Sequence, residues 1–155
     1  GESGRGKSTL AAFANRAGIT EVERVGDDIM PCSLSPTGPL SWPQFPQLKL
    51  AQSDYYPVDA RESLPIRALV VLEPLGPAGD IRIDPRPAGL AAKALIDQTV
   101  AVSLFDRPLH EGHLAFISGL VSSAQVHTLQ YPHDLARLPD VYRELLRVFA
   151  STGGD

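Results

Sequence analysis

The first eight residues, Gly1-Glu2-Ser3-Gly4-Arg5-Gly6-Lys7-Ser8, leave the chain little choice of how to fold. They satisfy the spacing G-x-x-x-x-G-K-[ST], and Thr9-Leu10-Ala11-Ala12-Phe13-Ala14 follows as an unbroken helix former. Glycines at these intervals let successive backbone N–H groups turn toward one centre, and a helix beginning near Lys7 adds the positive end of its dipole. Such a cradle suits phosphate: the lysine reaches the outer phosphates and the following hydroxyl takes one position on Mg²⁺. Gly1, Glu2, Ser3, Gly4, Arg5, Gly6, Lys7, Ser8 and Thr9 are therefore the expected nucleotide-binding residues, with Lys7 also catalytic and Ser8 a metal ligand. A phosphate loop ordinarily follows a buried strand. Gly1 is the first residue here, so the expectation is one α/β phosphate-loop domain over residues 1–155, truncated at its N-terminus and lacking that strand.

Composition agrees with one globular domain. At 155 residues the chain falls within the usual domain size of roughly 100–200 residues, and its 43% hydrophobic content is enough to build a core. A net charge of −4, from 14 basic and 18 acidic residues, argues against nucleic acid or an anionic membrane as partner. The single cysteine, Cys32, has no internal disulfide partner and lies in no zinc-type spacing, which fits a cytoplasmic setting and a structural role. No apolar run approaches the roughly 18 residues of a membrane span.

Along the chain, Leu10, Phe13, Ala14 and Ala17 share a helical face and Gly18 is placed to stop it, predicting a helix over residues 7–17. Residues 21–25 alternate as a short strand running into Gly26-Asp27-Asp28-Ile29, which sets two carboxylates at a strand end. Five prolines between residues 31 and 46 read as a long loop or flap, with edge pairing only near residues 48–50. Residues 67–72 form a short apolar run typical of a strand buried on both faces, and Ile81-Arg82-Ile83 alternates like a neighbouring strand. Residues 90–104 and 109–123 are expected to be two packed helices separated near Pro108. Residues 126–129 should be a short strand, and residues 138–149 a helix with Val141, Leu145 and Val148 on one side. Mixed strands with helices on the faces define an α/β class.

Other chemistry-bearing residues carry less. His110-Glu111-Gly112-His113 has one residue too few for H-E-x-x-H, so a solvated helix face is expected there, and His133 belongs to a helix start led by Asp134. Lys49 and Arg67 are candidates for a second cation near a transferring phosphate, against the plainer reading of surface charge at strand ends. Asp54, Asp59, Arg61 and Glu62 read as a solvated stretch. Trp42 and Phe45 either meet a peptide substrate or pin the flap to the core.

The phosphate loop, followed about twenty residues on by Gly26-Asp27-Asp28, resembles the C-terminal catalytic domain of HPr kinase/phosphorylase. It is closer to the short HPr-kinase-like proteins, some of which accompany lasso-peptide biosynthesis. Phe45-Pro46-Gln47-Leu48-Lys49-Leu50, Pro65-Ile66-Arg67-Ala68-Leu69-Val70-Val71-Leu72-Glu73, Leu129-Gln130-Tyr131-Pro132-His133-Asp134 and Leu138-Pro139-Asp140-Val141 resemble the same group in order and spacing. The resemblance implies a fold similar to phosphoenolpyruvate carboxykinase, a mixed sheet with flanking helices. It also implies an enzyme that uses ATP and Mg²⁺ to phosphorylate a serine hydroxyl on a peptide or small protein. It makes Asp27 the catalytic carboxylate and Asp28 its metal-proximal neighbour, interchangeable by one position. The sequence departs from the full-length family in lacking the segment before Gly1, with its histidine, and a downstream magnesium-holding glutamate; Ala51 stands where the short group often has tryptophan. A nucleotide-binding regulatory module without catalysis, and a phosphate-loop kinase of a small molecule, are the alternatives. Oligomeric state is left open.

Overall fold

The structure, a computed structural model, describes residues 6–17, 19, 22, 25–26, 29–43, 63–76 and 78–149. It is a mixed α/β fold with two small sheets and flanking helices. The principal sheet contains β4 (Ala68–Leu75), β5 (Arg82–Pro85) and β6 (Gln125–Pro132), with β6 in the middle, parallel to β4 and antiparallel to β5. Register pairs Val70 with His127, Leu72 with Leu129 and Ile83 with Leu129. Strand side chains alternate between faces, so Val70, Leu72, Ile83, Leu129 and Tyr131 share one face. On that face they meet Leu10 of α1 (Lys7–Ala17) and Val141 and Leu145 of α4 (Leu138–Phe149). Leu129 and Val141, at 0% exposure, are the centre of this core. The opposite face presents Leu69, Val71, Glu73, Val126, Thr128 and Gln130 toward α2 (Ala88–Asp97) and α3 (Arg107–Ser123), which pack on each other and on β6.

Several elements extend beyond or stop short of the sequence expectation: β4 runs to Leu75 and β5 to Pro85, and three others do so for local reasons. α3 begins before Pro108: Asp106 accepts from the Leu109 N–H at 2.9 Å, and proline in a first turn forfeits an N–H that has no helical acceptor anyway. α2 ends at Asp97 instead of continuing to residue 104, because Thr99 returns its hydroxyl to the Leu95 carbonyl at 3.0 Å and Ala101 takes φ +58° before a turn at Val102–Leu104. β6 runs on to Pro132, three residues past the expected end, and its end is fastened when the His133 N–H donates to the Leu75 carbonyl at 3.1 Å. α1 and α4 keep their expected bounds. Of residues 21–25, Val22 and Val25 are described and lie in no strand; the others are outside the described residues.

The proline-rich stretch is not a featureless flap. β1 (Cys32–Ser35) and β2 (Gly38–Ser41) form an antiparallel hairpin, and β3 (Leu64–Pro65) adds to β2 as a second sheet. Pro39 is tolerated in the middle strand because its carbonyl faces β3, accepting from Ile66 N–H at 2.9 Å. The N–H it lacks would point the same way, past the end of the β3 pairing, so no β1–β2 bond is lost. Pro36 occupies the turn. Trp42 donates its Nε1–H to Ser33 Oγ at 3.0 Å, so it clamps the hairpin; Phe45 and residues 48–50 lie outside the described residues. The hairpin rests on α3, where Leu34 meets Gly119 so closely that a Cβ there would stand 2.5 Å from Leu34 Cδ1.

Candidate functional site

The motif helix starts at Lys7, directly after Gly6. Leu10 N–H closes the first turn of α1 on the Gly6 carbonyl at 2.8 Å, so the amides one turn earlier point out of the helix end. Gly6 has φ +77°, in the left-handed region that glycine enters without strain, and it lies against Tyr131 near the carboxyl end of β6. A Cβ on Gly6 would stand 2.5 Å from Tyr131 Oη, on a ring that is only 2% exposed. Tyr142 on α4 donates its hydroxyl to the Leu10 carbonyl, and its ring tilts against Phe13 with centroids 5.5 Å apart. The helix end is thereby held from two directions, by a strand end and by the C-terminal helix.

A small cavity of about 190 Å³ opens at this point, lined by Gly6, Thr9, Tyr131, Pro132, His133, Asp134, Leu135 and Leu138. It lies just past the carboxyl ends of the parallel pair β4 and β6, the side on which open α/β sheets bind ligands. Ser8 and Thr9 are exposed on the first turn and Lys7 is half-buried. Asp134 caps the turn Leu135–Arg137, accepting from Ala136 N–H at 2.9 Å, as its sequence context suggests; His133 is exposed at the cavity rim.

Of the sequence-derived candidates, the structure brings Gly6, Lys7, Ser8 and Thr9 together at one helix end. Gly1, Glu2, Ser3, Gly4, Arg5, Asp27, Asp28, Lys49, Asp54, Asp59, Arg61 and Glu62 lie outside the described residues. Arg67 is exposed at the amino end of β4, the end remote from Gly6, so its candidacy as a second phosphate cation falls and surface charge at a strand end accounts for it. His110 is exposed, with Nδ1 3.0 Å from the Asp106 carbonyl oxygen. His113 departs from the expected solvated face: it is half-buried, its Nε2 is 2.8 Å from Thr99 Oγ1, and its ring meets Phe105 edge-on. It joins the end of α2 to α3. Cys32 is half-buried with Sγ donating to the Met30 carbonyl at 3.3 Å, and burial pushes its thiol pKa up, which disfavours the reactive thiolate. The structural role expected for it therefore stands. Among the described residues no group of three His, Cys, Asp or Glu is placed to hold a metal. No described helix is long and apolar enough to cross a membrane.

One polar cluster escaped the sequence reading. Arg86, between Pro85 and Pro87, donates through Nη1 to Glu73 Oε1 at 2.9 Å and to Thr128 Oγ1 at 2.7 Å, and through Nε to the Leu90 carbonyl at 3.3 Å. Gln130 donates to the other Glu73 oxygen at 3.4 Å. The cluster fastens β4, β6 and the start of α2 on the face away from α1. A lone glutamate inside the apolar run of β4 and a lone arginine between two prolines were the available signals.

No family model, curated protein or solved structure matches the chain.

Proposed function

We propose that this chain is an ATP-dependent, HPr-kinase-like serine kinase that phosphorylates a hydroxyl on a peptide or small protein in the cytoplasm. One observation carries the reading: the G-x-x-x-x-G-K-S motif runs into α1, whose first turn opens beside the carboxyl end of β6 with Gly6 in the left-handed conformation against Tyr131. A side chain at residue 6 would strike Tyr131, so glycine is what lets the motif's end pack against β6 at the end of the sheet where open α/β folds bind ligands.

In this reading the amides of residues 1–9 bind the phosphates, and Lys7 adds a point charge beside the β- and γ-phosphates. Ser8 and Asp28 would hold Mg²⁺, which would supply positive charge to offset that of the phosphates. Asp27 accepts the proton of the acceptor serine as the serine oxygen bonds to the γ-phosphorus. The bond from that phosphorus to the β–γ bridging oxygen breaks, and ADP departs. Phosphoryl transfer asks the protein mainly for position and charge, so this short set is sufficient.

Calorimetry with Mg-ATP tests the binding half: micromolar affinity is expected, with loss on Lys7→Ala. Acceptor-dependent ATP consumption tests the chemistry, and Asp27→Asn is expected to abolish it while leaving ATP affinity nearly intact. ATP binding without consumption across peptide acceptors would replace this reading with a regulatory nucleotide-binding module, and turnover on a metabolite alone would replace it with a small-molecule kinase.

A further inference from the structure

The cavity of about 190 Å³ beside the first turn of α1 has a lining that phosphate alone does not explain. Pro132, Leu135 and Leu138 give it apolar walls, and Asp134 sets a carboxylate among them. A triphosphate gains nothing from apolar walls and is repelled by a carboxylate, so the phosphates belong outside, at the helix end that carries Lys7, Ser8 and Thr9. The volume is also below the roughly 300–1,000 Å³ of pockets that enclose a whole drug-sized ligand. It therefore suits one flat, uncharged portion of a larger molecule. Gly6 and Thr9 line the cavity from the α1 side, so a single molecule can reach both places. Leu135 agrees with this division: it is an apolar side chain left 70% exposed at the cavity, and a ring laid against it would take that surface out of water.

Asp134 narrows the choice. The turn that carries it is fixed at both sides: the His133 N–H donates to the Leu75 carbonyl at 3.1 Å, and the Asp134 carbonyl accepts from the Arg137 N–H at 3.1 Å. Asp134 Oδ1 accepts from the Ala136 N–H at 2.9 Å, while Oδ2 makes no hydrogen bond or ion pair among the described residues. The carboxylate is thus held in place before a ligand arrives, with one oxygen to spare, and a carboxylate only accepts. Its partner must be a donor on the flat portion. An apolar side chain of an acceptor peptide would fill the same volume but offer that oxygen nothing. Building on the proposed use of ATP, we infer that this cavity is the base subsite. Adenine lies against Leu135 and Leu138, and its 6-amino group, the one donor the base offers, bonds to Asp134 Oδ2. Asp134 is then the residue that sets the choice of nucleotide, since a base with an oxygen at that position turns an acceptor toward an acceptor.

Calorimetry on the full chain with the magnesium complexes of ATP, inosine triphosphate and inorganic tripolyphosphate tests this. Inosine triphosphate carries a carbonyl oxygen in place of the 6-amino group, and tripolyphosphate is the phosphate portion without a base. ATP is expected to bind more tightly than tripolyphosphate and about tenfold more tightly than inosine triphosphate, as loss of a hydrogen bond to a charged group implies. Asp134→Asn keeps the cap on Ala136, because Asn caps as well as Asp, and turns an amide donor toward the base. It should abolish or reverse the preference for ATP over inosine triphosphate. Affinities are compared as ratios to tripolyphosphate, because removal of a negative charge strengthens the binding of every anion. Leu135→Ser, at an exposed position, should weaken both nucleotides by about fivefold and leave tripolyphosphate unchanged. ATP binding no tighter than tripolyphosphate overturns the base subsite and leaves the phosphate reading standing. A preference for ATP that Asp134→Asn does not change overturns it too. If tripolyphosphate and both nucleotides fail to bind, the kinase reading fails and the subsite falls with it.

Discussion

Gly6→Ala tests the placement of the motif helix through one contact. Two costs combine: an L-residue at φ +77° is strained by roughly 1–2 kcal/mol, and the new methyl would stand 2.5 Å from Tyr131 Oη. Displacing a buried ring to relieve such overpacking costs about 1–3 kcal/mol, so the single substitution should destabilise by about 2–5 kcal/mol. Tyr131→Phe removes the offending oxygen, and the next ring atom, Cζ, is 3.7 Å from the added methyl, an ordinary contact. In that background Gly6→Ala should cost only the strain, about 1–2 kcal/mol. A double-mutant cycle by urea unfolding should therefore give a coupling of about 1–3 kcal/mol, with unchanged m-values. Single costs that add to within about 0.5 kcal/mol would refute the contact and, with it, the seating of α1 on β6.

Two further expectations concern charge. Arg86→Ala removes three hydrogen bonds, two of them inside a half-buried cluster, and should cost about 2–3 kcal/mol by urea unfolding after allowance for the partial exposure of Glu73. Arg86→Lys should recover less than half, since an ammonium does not reproduce the guanidinium fork, and a loss under about 0.5 kcal/mol would show the cluster to be idle. On α4, hydrogen bonds from Arg137 and then Arg143 hold the Asp140 carboxyl below its ordinary 3.8. A carboxylate lowered in the folded state contributes stability above its unfolded value and loses it as pH falls through the folded one. Melting temperatures of the unmodified protein and Asp140→Asn should thus differ near pH 6 and converge below pH 3.8; a gap that persists in acid would refute the pairing.

Legibility in the sequence followed the strength of the local signal. α4 was readable because Val141, Leu145 and Val148 repeat at helical spacing, and α1 because no breaker intervenes between residues 7 and 17. The hairpin was hidden because proline density reads as exclusion from sheets, whereas Pro39 turns its missing donor toward a strand that has already ended. The end of α2 depended on Ala101 adopting a left-handed conformation, for which its own residue type gives no cue. β4 was recognised as an apolar strand, but that it pairs with β6 alone among the described residues is a property of topology, invisible in one segment. The place of Gly6 to Thr9 at a helix start could be read from their spacing because a helix start is a local feature. Arg86 could not, since its partners Glu73 and Thr128 are 13 and 42 positions away.

The tie between Tyr142 and Leu10 joins residues 132 positions apart. During synthesis at about 5–20 residues per second, α1 leaves the ribosome well before β6 and α4, the elements that hold it. Until they follow, a helix of 11 residues is marginal by itself. The motif helix is thus made well before it can be seated. A message truncated before α4 would yield α1 with its β6 contact but without the Tyr142 tie, so synthesis of α4 doubles as a check on a helix made long before it.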